Sequence, residues 1–153
     1  MPNLRRTLKP PVPLKARVLI VDDDERNAFA ASEALEVLGH ELVVARSGEE
    51  ALRLLLVQEF AVILLDLHMP GMDGYETIRE IRSIGRFADL PIIAVTAKAM
   101  KGDRSKCIQA GASDYVSKPV DIDYLISVMR VSIQRTDAQR LADAPPPRIP
   151  ADA

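Results

Sequence analysis

The stretch Val62-Ile63-Leu64-Leu65-Asp66-Leu67-His68-Met69-Pro70-Gly71-Met72-Asp73-Gly74 constrains the fold of this chain more than any other. A short run of leucine and β-branched residues climbs to a single carboxylate, then breaks at Pro-Gly. The run shows no polar alternation, so it reads as a strand buried on both faces. Strands of that kind belong to parallel sheets covered by helices on either side. Asp66 stands at the carboxyl end of the strand, the rim where ligands bind in an open α/β sheet. Pro70, Gly71 and Gly74 supply the turn that follows.

The rest of the chain repeats this unit. Arg17 to Val21 is an apolar strand running into Asp22-Asp23-Asp24-Glu25. A helix follows from Glu25 to about Leu38, acid-rich at its start as the helix dipole prefers, with Gly39 as its stop. Its apolar positions are Phe29, Leu35 and Leu38, and its alanines allow close packing. Glu41 to Ala45 is the second strand. Ser47 and Glu50 form a capping box opening a helix to about Glu59, with Ala51, Leu54, Leu55 and Val57 toward the sheet. Asp73 opens a short helix to about Ile84. Pro91 to Thr96 is the fourth strand, Met100 to Ala110 a helix stopped by Gly111, and Ser113 to Val116 a short fifth strand. Asp121 caps a last helix carrying Ile122, Leu125, Ile126, Met129 and Ile133 at helical spacing. Five strand-helix repeats predict a doubly wound α/β fold. Its parallel five-stranded sheet has the flavodoxin-like order 2-1-3-4-5, sandwiched between two helical layers.

The chain of 153 residues is long enough for one such domain and no more. Residues 1–16 hold four prolines and basic side chains without acids, which predicts a flexible arm, either a plain tail or weakly attractive to acidic partners. The domain is expected over 17–136, and a flexible proline-rich tail over 137–153. The net charge of −2 does not advertise a nucleic-acid partner. A lone cysteine, Cys107, excludes an internal disulfide and fits a reducing compartment. No apolar stretch approaches a membrane span, and the start has neither the charge nor the apolar core of a signal peptide. A cytoplasmic protein is expected.

In a 2-1-3-4-5 sheet the carboxyl ends of the first, third, fourth and fifth strands meet at one crevice. They bring together Asp22 and Asp23, Asp66, Thr96 and Lys118. Crowded carboxylates repel, and a divalent cation relieves the repulsion. Hard oxygen ligands with room for water suit Mg2+. A carboxylate can attack phosphorus to give an aspartyl phosphate. Threonine offers a hydroxyl donor, and lysine a cation, to phosphoryl oxygens. The set describes a phosphoryl-acceptor site, although each member alone has a plain structural reading as turn, cap or surface residue.

Val18-Leu19-Ile20-Val21-Asp22-Asp23-Asp24, Leu65-Asp66-Leu67-His68-Met69-Pro70-Gly71-Met72-Asp73-Gly74, Val95-Thr96-Ala97 and Gly111-Ala112-Ser113-Asp114-Tyr115-Val116-Ser117-Lys118-Pro119 resemble the receiver domain of two-component response regulators. The resemblance covers about Arg17 to Arg135. It implies Asp66 as phosphoacceptor, supplied by a histidine kinase or histidine phosphotransfer protein. It implies Asp23 and Asp66 as direct Mg2+ carboxylates, Asp22 holding the metal through water, and His68 giving only its backbone carbonyl. Thr96 and Lys118 match the residues that grip the phosphoryl oxygens, Pro119 follows a cis peptide bond, and Tyr115 is the aromatic that swings inward as Thr96 moves. His68 and Lys98 match positions that modulate loss of the phosphoryl group. The docking surface for the donor is expected on the first helix, Arg26 to Ala34, with the loop at Pro119.

No output module is patterned after Arg135, so a single-domain response regulator, acting by conformational change or phosphorelay on a downstream protein, is expected. The Thr96 to Arg104 and Lys118 to Asp121 stretches are most similar to receivers of hybrid histidine kinases, which leaves a receiver portion of such a kinase as the alternative. A phosphate-independent binding module is another. A haloacid-dehalogenase-like, Mg2+-dependent phosphohydrolase needs a second aspartate where this chain has His68. A homodimer through the fourth and fifth helices stays open, and neither a nucleic acid nor a membrane is expected as partner.

Overall fold

In the computed structural model, which describes residues 16–97 and 102–143, all five expected strands form. They are β1 (Arg17–Val21), β2 (Glu41–Ala45), β3 (Val62–Asp66), β4 (Ile92–Thr96) and β5 (Asp114–Ser117). Between and after them lie α1 (Glu25–Glu36), α2 (Gly48–Val57), α3 (Gly74–Ser83), α4 (Asp103–Ala110) and α5 (Ile122–Asp143). The strands are parallel and lie in the order β2-β1-β3-β4-β5.

Strand residues alternate between two cores. Leu19, Val21, Ile63, Leu65, Ile92 and Ala94 pack with α2, α3 and α4, whereas Val18, Ile20, Val62, Leu64 and Ile93 pack with α1 and α5. β3 and β4 are buried at every position, because each is central and covered on both faces. Full burial of such side chains contributes about 1.5–3 kcal/mol each, which makes these two strands the least displaceable part of the frame.

The caps form where sequence places them. Asp24 accepts hydrogen bonds from the N–H groups of Arg26 and Asn27, Ser47 from Glu50, and Asp73 from Glu76. Gly39 and Gly111 leave their helices at φ 91° and 120°, a region that side chains avoid. Gly74 is needed for a different reason. A Cβ there would collide with the Leu67 Cα and lie 2.8 Å from the Asp66 carbonyl oxygen, so only glycine lets α3 start against the end of β3.

Several local expectations are corrected. Phe29 is 64% exposed and Leu38 also faces out; Ala28 and Leu35 make the core contact of α1 instead. Val57 is 76% exposed, because it lies two residues from the buried Leu55 and so on the opposite side of α2. α4 begins at Asp103, after residues 98–101, which lie outside the described part. α5 runs on to Asp143, into residues assigned above to a tail. Its apolar periodicity stops because the helix passes the edge of the sheet, while its backbone ladder continues through good helix formers. Among the described residues, no helix is long and apolar enough to cross a membrane.

Candidate functional site

Register fixes the site. Val21 lies opposite Leu65 and Ala45, Asp66 opposite Val95, and Thr96 opposite Ser117, so the carboxyl ends of β1, β3, β4 and β5 form one rim. Asp22 extends β1 by one residue, its N–H donating to the Ala45 carbonyl at 3.0 Å. Carboxylate oxygens of Asp22, Asp23 and Asp66 all lie within 4.8 Å of one another. Asp22 and Asp66 are buried, and Asp23 is exposed. The sequence therefore brings together its three acids as expected, with one of them open to solvent.

Lys118 reaches the same point. Its Nζ lies 3.5 Å from Asp22 and 3.6 Å from Asp66. It is carried there by the turn after β5, where the Lys118 N–H donates to the Thr96 carbonyl at 2.7 Å and the Lys118–Pro119 peptide bond is cis. Among the described residues, three carboxylates against one ammonium leave an excess of negative charge. Burial pushes the Asp22 carboxyl up from its ordinary pKa, and the charge of Asp66 adds to that; the Asp24 N–H and Lys118 pull the other way. This is the donor set of a hard divalent cation: oxygen atoms, mutual repulsion, and one side open for water.

The Asp66 carboxylate is aimed by its own chain, since the His68 N–H donates to it at 3.0 Å. The His68 side chain is exposed. Thr96 is fully buried beside the rim. Tyr115 packs at the edge of the core formed with α2, α3 and α4, its hydroxyl buried and without a hydrogen-bond partner among the described residues. Burial raises its pKa. Next to it the Cys107 thiol donates to the Tyr75 hydroxyl at 3.9 Å, and the Lys106 ammonium sits 4.6 Å from the centre of the Tyr75 ring. Burial is the main cause that drives the Tyr75 phenol up to about 12. Lys98 lies outside the described residues.

Gly74, read from the sequence as part of the turn after Asp66, also lies against the Leu67 backbone, a close approach that no spacing rule reveals. Sequence reading missed a cavity of about 640 Å3 between α1 and α5, which opens at Asp22, Asp66 and Lys118 and has an aliphatic floor. The run of alanines on α1 was its only signal.

The geometry agrees with known proteins. Residues 18–130 match the response regulator receiver domain family. The response regulator MprA of Mycobacterium sp. (strain KMS) is 35% identical over 132 residues, 86% of this chain and 56% of that protein. The chain thus spans about half the length of the curated relatives it matches. The receiver domain of the sensor histidine kinase PA1611 of Pseudomonas aeruginosa PAO1, solved with a magnesium ion coordinated in its active site cleft, is 35% identical with a TM-score of 0.72, over 78% of this chain and 98% of that one. The receiver domain of Francisella response regulator 1452 is 30% identical, also at a TM-score of 0.72, over 79% and 98%.

Proposed function

Because this chain belongs to the response regulator receiver domain family, we propose that Asp66 accepts a phosphoryl group from a histidine kinase or histidine phosphotransfer protein and that the domain signals through the change in shape that follows. The observation that carries this reading is the convergence at one rim of the Asp22, Asp23 and Asp66 carboxylates, within 4.8 Å of one another, with Lys118 3.5 Å from Asp22 and 3.6 Å from Asp66.

Asp23 and Asp66 hold Mg2+ directly in this reading, with the His68 carbonyl, and Asp22 holds it through water. The bound ion supplies charge neutralisation for the nucleophile and the incoming phosphoryl oxygens. The chain's own residues do the rest. The Asp66 carboxylate, pointed by the His68 N–H, is the nucleophile. Lys118 stands 3.6 Å from it and follows the charge onto the phosphoryl oxygens. Thr96, buried at the end of the neighbouring strand, donates its hydroxyl. As Thr96 is drawn in, Tyr115 turns toward the space it leaves; its buried and unpartnered hydroxyl supports this, since that position binds it weakly. The result is a shift between two packings rather than a new fold.

A phosphohydrolase using an aspartyl phosphate would need an acid-base carboxylate where His68 stands, and the His68 imidazole projects into solvent. We infer a signalling domain that handles only its own phosphoryl group.

The test is intact mass after incubation with Mg2+ and acetyl phosphate. One phosphoryl group on the wild type, dependent on Mg2+ and missing from Asp66→Asn, is expected. Incorporation that persists in Asp66→Asn contradicts the assignment.

A further inference from the structure

The two edges of the sheet are finished differently. At β5 the Lys118 N–H reaches the Thr96 carbonyl, so the alternation of a parallel strand turns the Tyr115 N–H outward. The Asp114 carboxylate accepts it at 2.8 Å and lies 3.8 Å from Arg104. That edge is closed by its own side chains. At β2 the Glu41 N–H donates to the Ala16 carbonyl, and the Ala45 carbonyl accepts from Asp22, both at 3.0 Å. Glu41, Val43 and Ala45 therefore bond to β1, and Leu42 and Val44 turn their N–H and carbonyl groups away from the sheet. Among the described residues, no strand pairs with that side. Open edges are usually guarded by proline, a bulge or charge. β2 has none of these between Leu42 and Ala45, and its register with β1 is unbroken.

We propose that β2 docks against β2 of a second copy of this chain, antiparallel about a two-fold axis at Val43, so that the two sheets join into one. The edge is self-complementary. With Val43 on the axis, Leu42 of each copy lies opposite Val44 of the other. Facing residues whose N–H and carbonyl groups point at each other exchange both hydrogen bonds, so every outward group of Leu42 and Val44 is satisfied at once. The side chains agree. Leu42 and Val44 stand on the α1 face of the sheet, and Val43 on the α2 face. Beside Val44 lies a cavity of about 600 Å3 walled by Arg46 and by Phe29, which is 64% exposed. Leu42 of the second copy, opposite Val44 and on the same face, enters this cavity and covers the Phe29 ring. The charges agree as well. Glu41 faces Ala45, and just beyond the strand Arg46 faces His40, whose pKa burial lowers, so no like charges meet.

This is not the side of α1 that faces the Pro119 loop. Pro119 shares its cavity with Ala30, Ala31 and Ala34, on the other side of the helix. The pairing needs neither Mg2+ nor a phosphoryl group, so it stands apart from the assignment of Asp66.

The experiment is sedimentation of the full chain over a concentration series, with no phosphodonor present. A reversible dimer is expected. Phe29→Glu puts a charge in the cavity that Leu42 enters. Val44→Pro removes an outward N–H and no bond to β1, which an edge strand tolerates. Each should raise the dissociation constant about 10-fold. Where Val44→Pro does not fold, Phe29→Glu, on an exposed side chain, carries the comparison. Asp66→Asn should dimerise as the wild type does. Oxidative cross-linking reads the register. Residues facing each other at a non-hydrogen-bonded position have Cα atoms about 4.5 Å apart, so Val43→Cys closes a disulfide across the axis. Glu41→Cys, about 14 Å from its counterpart, does not. Cys107 is fully buried and does not compete. A monomer at every concentration, a dimer indifferent to both edge substitutions, a dimer lost in Asp66→Asn, or a cross-link in Glu41→Cys and not in Val43→Cys overturns the proposal. So does protection of the Leu42 and Val44 amides from hydrogen exchange that is independent of concentration, which would mean that the chain's own residues cover the edge.

Discussion

The two rims of the sheet handle buried charge in opposite ways. At the amino rim, Arg82 extends from the last turn of α3 and is fully engaged. Its Nε donates to the Gly111 carbonyl at 2.8 Å, one terminal nitrogen to the Phe87 and Leu90 carbonyls at 2.7 Å each, and the other to the Ser113 hydroxyl at 3.4 Å. Burial lowers its pKa, yet every arm of the guanidinium has an acceptor and Asp89 favours its charge. At the carboxyl rim, among the described residues, Asp22 and Asp66 share the Lys118 ammonium while the Asp23 carboxylate crowds them, and the three acids repel one another. A site closed by its own chain holds the fold. A site left short of positive charge repels itself, and a cation supplied from outside would relieve that repulsion.

The largest effect should come from breaking the closed rim. Arg82→Met takes a charged donor from three carbonyls, leaving that of Phe87 only the Leu90 N–H, and loosens the joins into β4 and β5, at a cost of about 3 kcal/mol in urea unfolding. The same variant should keep Mg2+-dependent phosphoryl uptake whenever it is folded, since Arg82 touches no group of the acidic cluster. Loss of uptake in the folded variant would break the separation between the rims. Gly74→Ala comes next. Its Cβ would press on the Leu67 backbone and the Asp66 carbonyl, costing about 2 kcal/mol and, unlike Arg82→Met, also slowing uptake by displacing Asp66.

Asp22→Asn should go the other way in metal-free buffer. The Asp22 pKa is raised on folding, mainly by burial. The native state therefore holds its proton more tightly than the unfolded chain, and ionisation removes stability as pH rises through the carboxylate range. The variant should be more stable than wild type at pH 7, with the gain shrinking toward pH 4. A loss at pH 7 would mean that Asp22 is already satisfied.

The smallest effect sharpens the contrast through its opposite sign. His40, at the amino rim, accepts the Ala16 N–H, and burial, with Arg130 nearby, lowers its pKa. Here the unfolded state binds the proton more tightly, so stability falls as pH drops through the ordinary histidine pKa of about 6.5. His40→Gln should flatten that limb of the pH profile, a change of less than one bound proton. Acid thus weakens the closed rim through His40 and relieves the open rim at Asp22.

Legibility in the sequence follows the same division. The strands, their order and the acidic rim were readable because a two-sided strand is a continuous apolar run, and because each strand of a parallel sheet ends on the same side. Ser47, Asp73, Gly39 and Gly111 announced helix limits through local chemistry. Arg82 did not show itself, since its acceptors are three backbone carbonyls and a serine hydroxyl from two separate loops, and any polar helix residue looks alike in sequence. Phe29 and Val57 misled because a large apolar side chain on the outer face of a helix looks like a core residue, while small Ala28 makes the contact. The extension of α5 to Asp143 was hidden because its apolar spacing fades after Ile133 although the helix continues.

The most direct measurement is thermal stability against Mg2+ concentration, for wild type, Asp23→Asn, Asp66→Asn and Arg82→Met. A cation completing the open rim stabilises the folded state by about 1.4 kcal/mol at ten times its dissociation constant. That increment is expected in wild type and, from a lower baseline, in Arg82→Met, and should be lost in both acidic-cluster variants. A flat response in wild type, or an equal increment in Asp23→Asn and Asp66→Asn, would contradict the claim that the carboxyl rim is a cation site waiting to be filled.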